Sequence, residues 1–152
     1  MFKAGQHPEL GLNGLSISGA LMVLTGATTR LRAYQELGNF FRFNVSLQEE
    51  HRLIKTGVYS YVRHPSYTGG MMVIVGWFLW NGARGSWVRE SGFFETRIGR
   101  ILTVGEGVLL AMLFLISLRR VSKEDEMLKK KFGKEWEDWA REVPHALVPW
   151  VY

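Results

Sequence analysis

The chain contains no cysteine anywhere in its 152 residues, which removes disulfides, thiolate catalysis and zinc–thiolate centres together. Metal-ligand spacing is missing as well. The four histidines, His7, His51, His64 and His145, show neither an i,i+4 pair nor cysteine partners, so no metal is expected. No glycine-rich phosphate fingerprint follows a strand, and no period-two alternation is evident, which argues against a dinucleotide-binding fold. Gly105-Glu106-Gly107 is an isolated pair of glycines inside an apolar run and reads as helix packing rather than phosphate binding. A Ser/His/Asp reading of Ser66 with His64 has no supporting geometry. After the early Lys3 there is no small-residue cleavage pattern, so a removed signal peptide is not expected.

What is present is unevenly distributed. With 47% hydrophobic and 22% charged residues and a mean hydropathy of −0.03, the average matches a soluble domain. Yet the apolar residues gather in blocks while the charges fill the gaps between them. The length suits one domain, residues 1–152. A net charge of +5 and a pI near 9.7 fit either nucleic acid or an anionic membrane face. The blocks favour the membrane, and no nucleic-acid partner is expected.

Residues 10–29 carry no charge and have about the length a bilayer crossing needs. Gly11, Gly14, Gly19 and Gly26 would let membrane helices approach closely; a buried helix of a soluble core is the alternative. Residues 67–83 form a second, shorter block, with Trp77 and Trp80 placed as interface anchors. Pro65 suits the first turn of the helix that follows, because its missing N–H costs nothing there. Thr56-Gly57 reads as a break. Residues 101–118 form the third block. Glu106 inside it is either a functional carboxyl or a group reaching the far surface. The intervening residues 84–100 read as a basic, aromatic loop. The expected fold is therefore an all-α integral membrane protein with about three transmembrane helices, followed by interfacial C-terminal amphipathic helices.

That C-terminal region, Ser122 to Val143, carries Leu128, Phe132, Trp136, Trp139 and Val143 at helical spacing, with Lys129, Lys130, Lys131 and Lys134 between them. Ser122 with Asp125 offers an N-cap with an acidic partner three residues on, and Gly133 divides two short helices. The pattern fits a helix lying on a membrane surface and equally one packing against the other helices.

The basic residues set an orientation. Six lie between the first two blocks and eight after the third, 14 of the 19 in all. If all three blocks cross, these 14 share one face, which the positive-inside rule makes cytoplasmic. The polar window 44–67 and the tail 119–149 would then meet on that face. Asn44-Val45-Ser46 has the glycosylation pattern, and this orientation leaves it unmodified.

The stretch HRLIKTGVYSYVRHPSYTGG (51–70), an apolar hairpin and the tail RVSKEDEMLKKKFGKEWEDWAREVP together resemble the isoprenylcysteine carboxyl methyltransferase family. The likeness runs from about Gly38 to the C-terminus, and the tail is similar to the fungal branch in particular. The resemblance implies S-adenosyl-L-methionine as cofactor and methyl esterification of a C-terminal prenylcysteine, with membrane lipids and prenylated C-terminal cysteine substrates as partners. It also implies an endoplasmic reticulum location with the site facing the cytosol. Carried over by position, the cofactor contacts are His51, Arg52, Leu53, Ile54, Tyr59, His64, Pro65, Ser66, Tyr67 and Glu124. Arg120, one helical turn before Glu124, matches the arginine at the substrate carboxylate and is the catalytic candidate; Asn44 is a looser match. The chain departs from the family in having about three crossing segments where members usually have more, and in its longer 84–100 connection. The first departure implies a shortened lipid tunnel or dependence on a partner.

The residues agree with those roles on chemical grounds. A cysteine carboxylate is ionised at pH 7, so its attack on a methyl sulfonium needs no general base; it needs alignment and exclusion of water. Tyr59 and Tyr67 suit an adenine ring, His64 the amino-acid end of the cofactor. Ordinary readings stand beside these: Arg63 and Arg120 as positive-inside residues, Glu124 opposing a helix dipole, Tyr59 and Tyr61 as interface anchors. Arg63 stands evenly between a role in the site and the plainer one of neutralising a phosphate or bracing its turn. Phospholipid N-methylation, a sterol-type reductase and a non-catalytic membrane protein are the competing functions.

Overall fold

The computed structural model describes residues 10–38 and 52–148. His51 and Asn44 therefore lie outside the described residues. Five α-helices account for most of the rest: α1 Gly14–Leu37, α2 Pro65–Gly82, α3 Trp87–Glu90, α4 Arg97–Phe132 and α5 Lys134–Glu142. Two 3-10 turns, Gly57–Ser60 and Phe93–Glu95, complete them. Among the described residues there is no strand, as the lack of alternation predicted. The chain divides into two compact units, Met1–Thr25 with Met71–Phe114, and Gly26–Gly70 with Leu115–Tyr152.

In the first unit, α1 opens on a reciprocal cap: Ser16 N donates to Asn13 Oδ1, and Asn13 N donates to Ser16 Oγ, both at 2.9 Å. Each satisfies a donor that a helix start would otherwise leave open. Asn13 Nδ2 also donates to the Arg84 carbonyl (2.7 Å), tying the helix start to the 84–100 connection. That connection is more ordered than a loop. Ser86 caps α3 by accepting from Arg89 N, and Glu90 accepts from Gly85 N at 2.8 Å.

The glycine expectation holds at two of its four positions. A Cβ on Gly19 would lie 2.7 Å from Trp80 N and 2.8 Å from the Gly76 carbonyl, so α1 and α2 meet there backbone to backbone. In the second unit, a Cβ on Gly69 would lie 2.5 Å from the Gly26 carbonyl and 2.9 Å from Arg30 Cγ. Gly14 has nothing within 4 Å of an added Cβ, and Gly11 precedes the helix. Gly105 and Gly107 likewise face open space, so the packing expected of them is not present among the described residues. Gly69→Ala is expected to cost about 1–3 kcal/mol, the usual penalty for overfilling a tight contact. Gly82→Ala, with nothing within 4 Å, serves as the control. Thermal melts in detergent test the pair; equal melting temperatures would contradict the close approach.

Of the three apolar blocks, one helix among the described residues is long and apolar enough to cross a membrane, Arg97–Phe132. The other two are helical but mixed. α1 runs on past Thr29 through Arg30, Arg32 and Glu36, and the 18 residues of α2 include Pro65, Ser66, Thr68 and Asn81. Pro65 does open α2, as its missing N–H allows.

The third block corrects a boundary. No cap falls at Ser122, because α4 continues without interruption from Arg97 to Phe132. Ser122 Oγ donates back to the Leu118 carbonyl at 3.4 Å, a mid-helix bond. Its hydroxyl is thereby committed to the preceding turn. Asp125, freed from any capping role, is available to other elements. Gly133 does divide α4 from α5, with φ +53°, a conformation glycine adopts without a Cβ clash.

The core of the second unit is built from Ala33, Tyr59, Trp139 and Val143, with Leu37, Leu53, Ile54, Val58 and Trp136 packed around it. Trp139 is 2% exposed. The tryptophan stripe of α5 thus packs on its own protein, and of the two readings of that helix the packed one is observed for Trp139. Both Trp136 and Trp139 bury an Nε1–H that has no hydrogen-bond partner among the described residues.

Candidate functional site

Every group of the candidate site belongs to the second unit. Gly57 has φ +60°, a turn open to glycine, and starts the 3-10 turn that buries Tyr59. The Glu36 carboxylate accepts from Val58 N at 3.1 and 3.2 Å, capping that turn from α1. Lys55 pairs with Glu135 at 2.9 Å, an exposed contact of small energetic weight.

After the turn, the backbone at 63–64 is held by the C-terminal segment. Arg63 N donates to the His145 carbonyl (3.0 Å) and His64 N to the Ala146 carbonyl (2.9 Å). Thr68 Oγ1 donates to the Leu147 carbonyl at 2.6 Å. Arg30 reinforces the start of α2: its Nη1 donates to the Ser66 carbonyl at 3.3 Å, and its Nη2 to the Tyr34 hydroxyl.

Arg63 braces the turn. Its Nη1 donates to the carbonyls of Val143 (2.9 Å) and Pro144 (2.7 Å), while Nε and Nη2 reach Asp125 Oδ2 at 3.3 and 3.1 Å. The guanidinium also lies 5.9 Å from the Trp136 ring. His64 is 5% exposed. Its Nε2–H donates to Asp125 Oδ1 at 2.8 Å, and Nδ1 faces Glu124 Oε2 at 3.5 Å. Tyr67 donates its hydroxyl to Glu124 Oε1 at 2.5 Å, a short bond suited to an ionised acceptor. Arg120 stands one turn before Glu124 on α4 with its guanidinium beside the Tyr67 hydroxyl.

The charges respond to this arrangement. Burial alone would push the His64 pKa down, but the hydrogen bonds to Asp125 and Glu124 and their charges together raise it above 6.5. Burial would raise Asp125; the hydrogen bond and charge of His64, then those of Arg63, hold it below 3.8. Burial, then the charge of Glu36, pushes the Tyr59 hydroxyl well up, so it stays neutral.

The sign of the pH dependence follows. His64 contributes stability that is complete below its unfolded value and fades as pH rises through the raised folded value. Asp125 contributes stability that is complete above its unfolded value and fades as pH falls through the depressed one. Thermal stability is therefore expected to peak between the two unfolded values, about 4 to 6.5, and to decline toward pH 8. His64→Gln should flatten the alkaline decline; a melting temperature that keeps rising to pH 8 would contradict it.

The site residues read from the sequence divide into two groups. His64 and Tyr67 come together with Glu124 and Arg120, Pro65 and Ser66 lie between them in the chain with the Ser66 carbonyl held by Arg30, and Tyr59 is near enough for the Glu124 charge to act on it. Leu53 and Ile54 instead pack against the Tyr59–Trp139 core, and Arg52 is exposed. Asp125 and Arg30 were not singled out for the site. Asp125 directly follows Glu124, so the two carboxylates reach around both sides of one imidazole. Among the described residues no group of His, Asp and Glu fit to hold a metal ion is found.

The R-H-P-x-Y turn at the start of α2 and the acidic pair on the long helix α4 thus meet in one place. The family model for phospholipid methyltransferase matches residues 15–88. Over 148 residues the chain is 30% identical to protein-S-isoprenylcysteine O-methyltransferase of Xenopus laevis, covering 93% of this chain and 43% of that protein. The Mus musculus enzyme of the same name is 31% identical over 144 residues, 92% of this chain and 44% of that protein. The Saccharomyces cerevisiae one is 45% identical over 56 residues, 36% of this chain and 23% of that protein. Over most of its own length the chain is thus similar to protein-S-isoprenylcysteine O-methyltransferases. It spans less than half the length of these three relatives. No solved structure matches it.

Proposed function

We propose that the chain is an S-adenosylmethionine-dependent methyltransferase that esterifies the C-terminal carboxylate of prenylated cysteines. The observation that carries this reading is the convergence of Tyr67, His64, Glu124 and Arg120 just beyond an apolar helical run.

The donor set suits that cofactor. Among the described residues Glu124 Oε2 has the long 3.5 Å contact to His64, which leaves lone pairs for a ribose hydroxyl or an ammonium group. Tyr67 offers an aromatic face beside it. Bound there, the cofactor supplies an electrophilic methyl group on a sulfonium. Arg120 holds the substrate carboxylate by two parallel hydrogen bonds and turns one oxygen toward that methyl group. No side chain needs to take a proton, since the carboxylate is already ionised. Opposite charges vanish as the neutral ester forms, so exclusion of water around Tyr67 and Arg120 favours the reaction.

The apolar part of α4 ends at Leu118, and Arg120 follows within one turn. A prenyl chain lying along that surface gains about 0.8 kcal/mol per buried CH₂. In this reading residues 10–29, 67–83 and 101–118 are the three membrane segments, the site faces the cytosol, and the membrane is the endoplasmic reticulum. The likeness of the tail to fungal members belongs to the same reading.

Radiolabelled methyl transfer to N-acetyl-S-farnesylcysteine in membranes tests it, with Glu124→Ala as control. The match to the phospholipid methyltransferase family over 15–88 favours one competing reading, N-methylation of an amine head group. That chemistry must remove a proton and has little use for an arginine clamp. Label appearing in phosphatidylethanolamine products and none in the prenylcysteine ester would select it.

A further inference from the structure

Asp125 lies outside the residues so far given a chemical role, yet it makes the shortest polar contact to the buried histidine. Its Oδ1 accepts from His64 Nε2 at 2.8 Å, and its Oδ2 accepts from Arg63 at 3.1 Å. Its other neighbours are fixed too, since Arg63 is anchored to the carbonyls of Val143 and Pro144. From Arg63 through Asp125 and His64 to Glu124, charges alternate in sign along one row of contacts.

That row has a physical logic. Successive residues on a helix project about 100° apart, so Glu124 and Asp125 diverge around the ring placed between them. Two carboxylates beside a neutral imidazole would leave one ring nitrogen without a proton to donate. An imidazolium donates on both sides, and the buried cation is compensated twice. Arg63 alone could satisfy Asp125; the additional bond to His64 acts on the ring. It sets which nitrogen faces Glu124, and Glu124 in turn accepts from Tyr67.

We propose that Asp125 is a positioning residue for the methyl-donor site: by gripping one nitrogen of His64 it turns the other toward Glu124 and fixes that carboxylate, with Tyr67, in its donor-binding pose. This rests on the reading of Glu124 as a donor contact. Among the described residues the titratable and charged groups facing His64 are Asp125 and Glu124 on α4, with Arg63 behind Asp125, Arg120 behind Tyr67, and the Tyr67 ring at 6.0 Å on α2. Of the groups in contact with the ring, the two carboxylates are the ones that stabilise its cation. The consequence is a donor affinity that falls as pH rises through the His64 transition, and an Asp125→Asn variant in which that fall moves to lower pH.

The experiment uses the full chain in detergent micelles or nanodiscs. Histidine-labelled protein is titrated by NMR, with the His64 signal assigned by its loss in His64→Gln. Binding of S-adenosylhomocysteine is followed by calorimetry across the same pH range, and KM for the donor and kcat are measured beside it. In Asp125→Asn the His64 transition should move down by a unit or more, and donor affinity at neutral pH should fall about tenfold or more, the scale of losing a charge-assisted hydrogen bond. KM for the donor should rise while kcat changes little. Asp125→Glu, which keeps the charge on a longer arm, should preserve the His64 transition and still weaken donor binding. It also serves if the asparagine variant does not fold.

An unmoved His64 transition in Asp125→Asn, or wild-type donor affinity in Asp125→Glu, would overturn the proposal. A change in melting temperature with the titration and donor binding both untouched would do the same. Donor binding without methyl transfer to any prenylcysteine would refute the proposed function instead, while the titration still decides the role of Asp125.

Discussion

Replacing Arg63 with alanine is expected to lower folding stability by about 3–5 kcal/mol, the range for breaking one side of a largely buried ion pair. The side chains of Arg63 and Asp125 are 12% and 17% exposed, so water screens their contact poorly. Alanine would strand the Asp125 carboxylate with His64 alone and leave the Val143 and Pro144 carbonyls without their donor. It would also remove the cation from the Trp136 face. Arg63→Lys should recover less than half of the loss. An ammonium is a compact charge and cannot span a carboxylate on one side and two carbonyls on the other, as the planar fork does. Chemical denaturation in a mild detergent measures both variants. A loss under about 1 kcal/mol for alanine, the value of an exposed pair, would show that the brace carries no weight.

Arg120→Ala is expected to reduce kcat/KM for the proposed prenylcysteine methylation by about 10²–10³-fold, the scale for deleting one preorganised charged donor from a reacting centre. Its cause lies in alignment. A carboxylate held at two oxygens by a guanidinium has one remaining direction of attack, whereas an untethered one must find it by diffusion. Arg120→Lys should keep part of the rate, because the charge survives and the fork does not. Melting temperatures near wild type would assign the loss to chemistry. Unchanged turnover in the alanine variant would remove Arg120 from the reaction.

The two arginines illustrate how far the chain could be read in advance. Arg63 sits in the R-H-P-x-Y stretch and looked as much like a site residue as a phosphate partner or brace. Only the approach of residues 143–144 and of Asp125 shows it bracing. Arg120 took its role from the family resemblance, and helical periodicity added only that it stands one turn before Glu124. Glu106 had two readings, a functional carboxyl or one near the far surface, and its partner is Trp77, whose Nε1 donates to Oε1 at 2.7 Å. That bond needs α2 and α4 side by side and has no trace in local sequence. The cap assigned to Ser122 failed because a serine in a long helix can bond backward as well as forward, and the apolar run before it gave α4 no reason to stop.

From its residues alone the chain was legible as helical, without disulfides, and built on an R-H-P-S-Y turn with an acidic helix downstream. Those properties follow from composition and periodicity, which act over a few residues. Tertiary structure decided which carboxylate serves which cation, that Glu124 faces Tyr67 while Asp125 faces His64 and Arg63, and that the tryptophan Trp139 turns inward. Such choices depend on groups some 60 residues apart meeting in one low-dielectric place. There the cost of leaving a charge unpaired far exceeds any local preference, and the pairing is settled by the packing that brings the segments together.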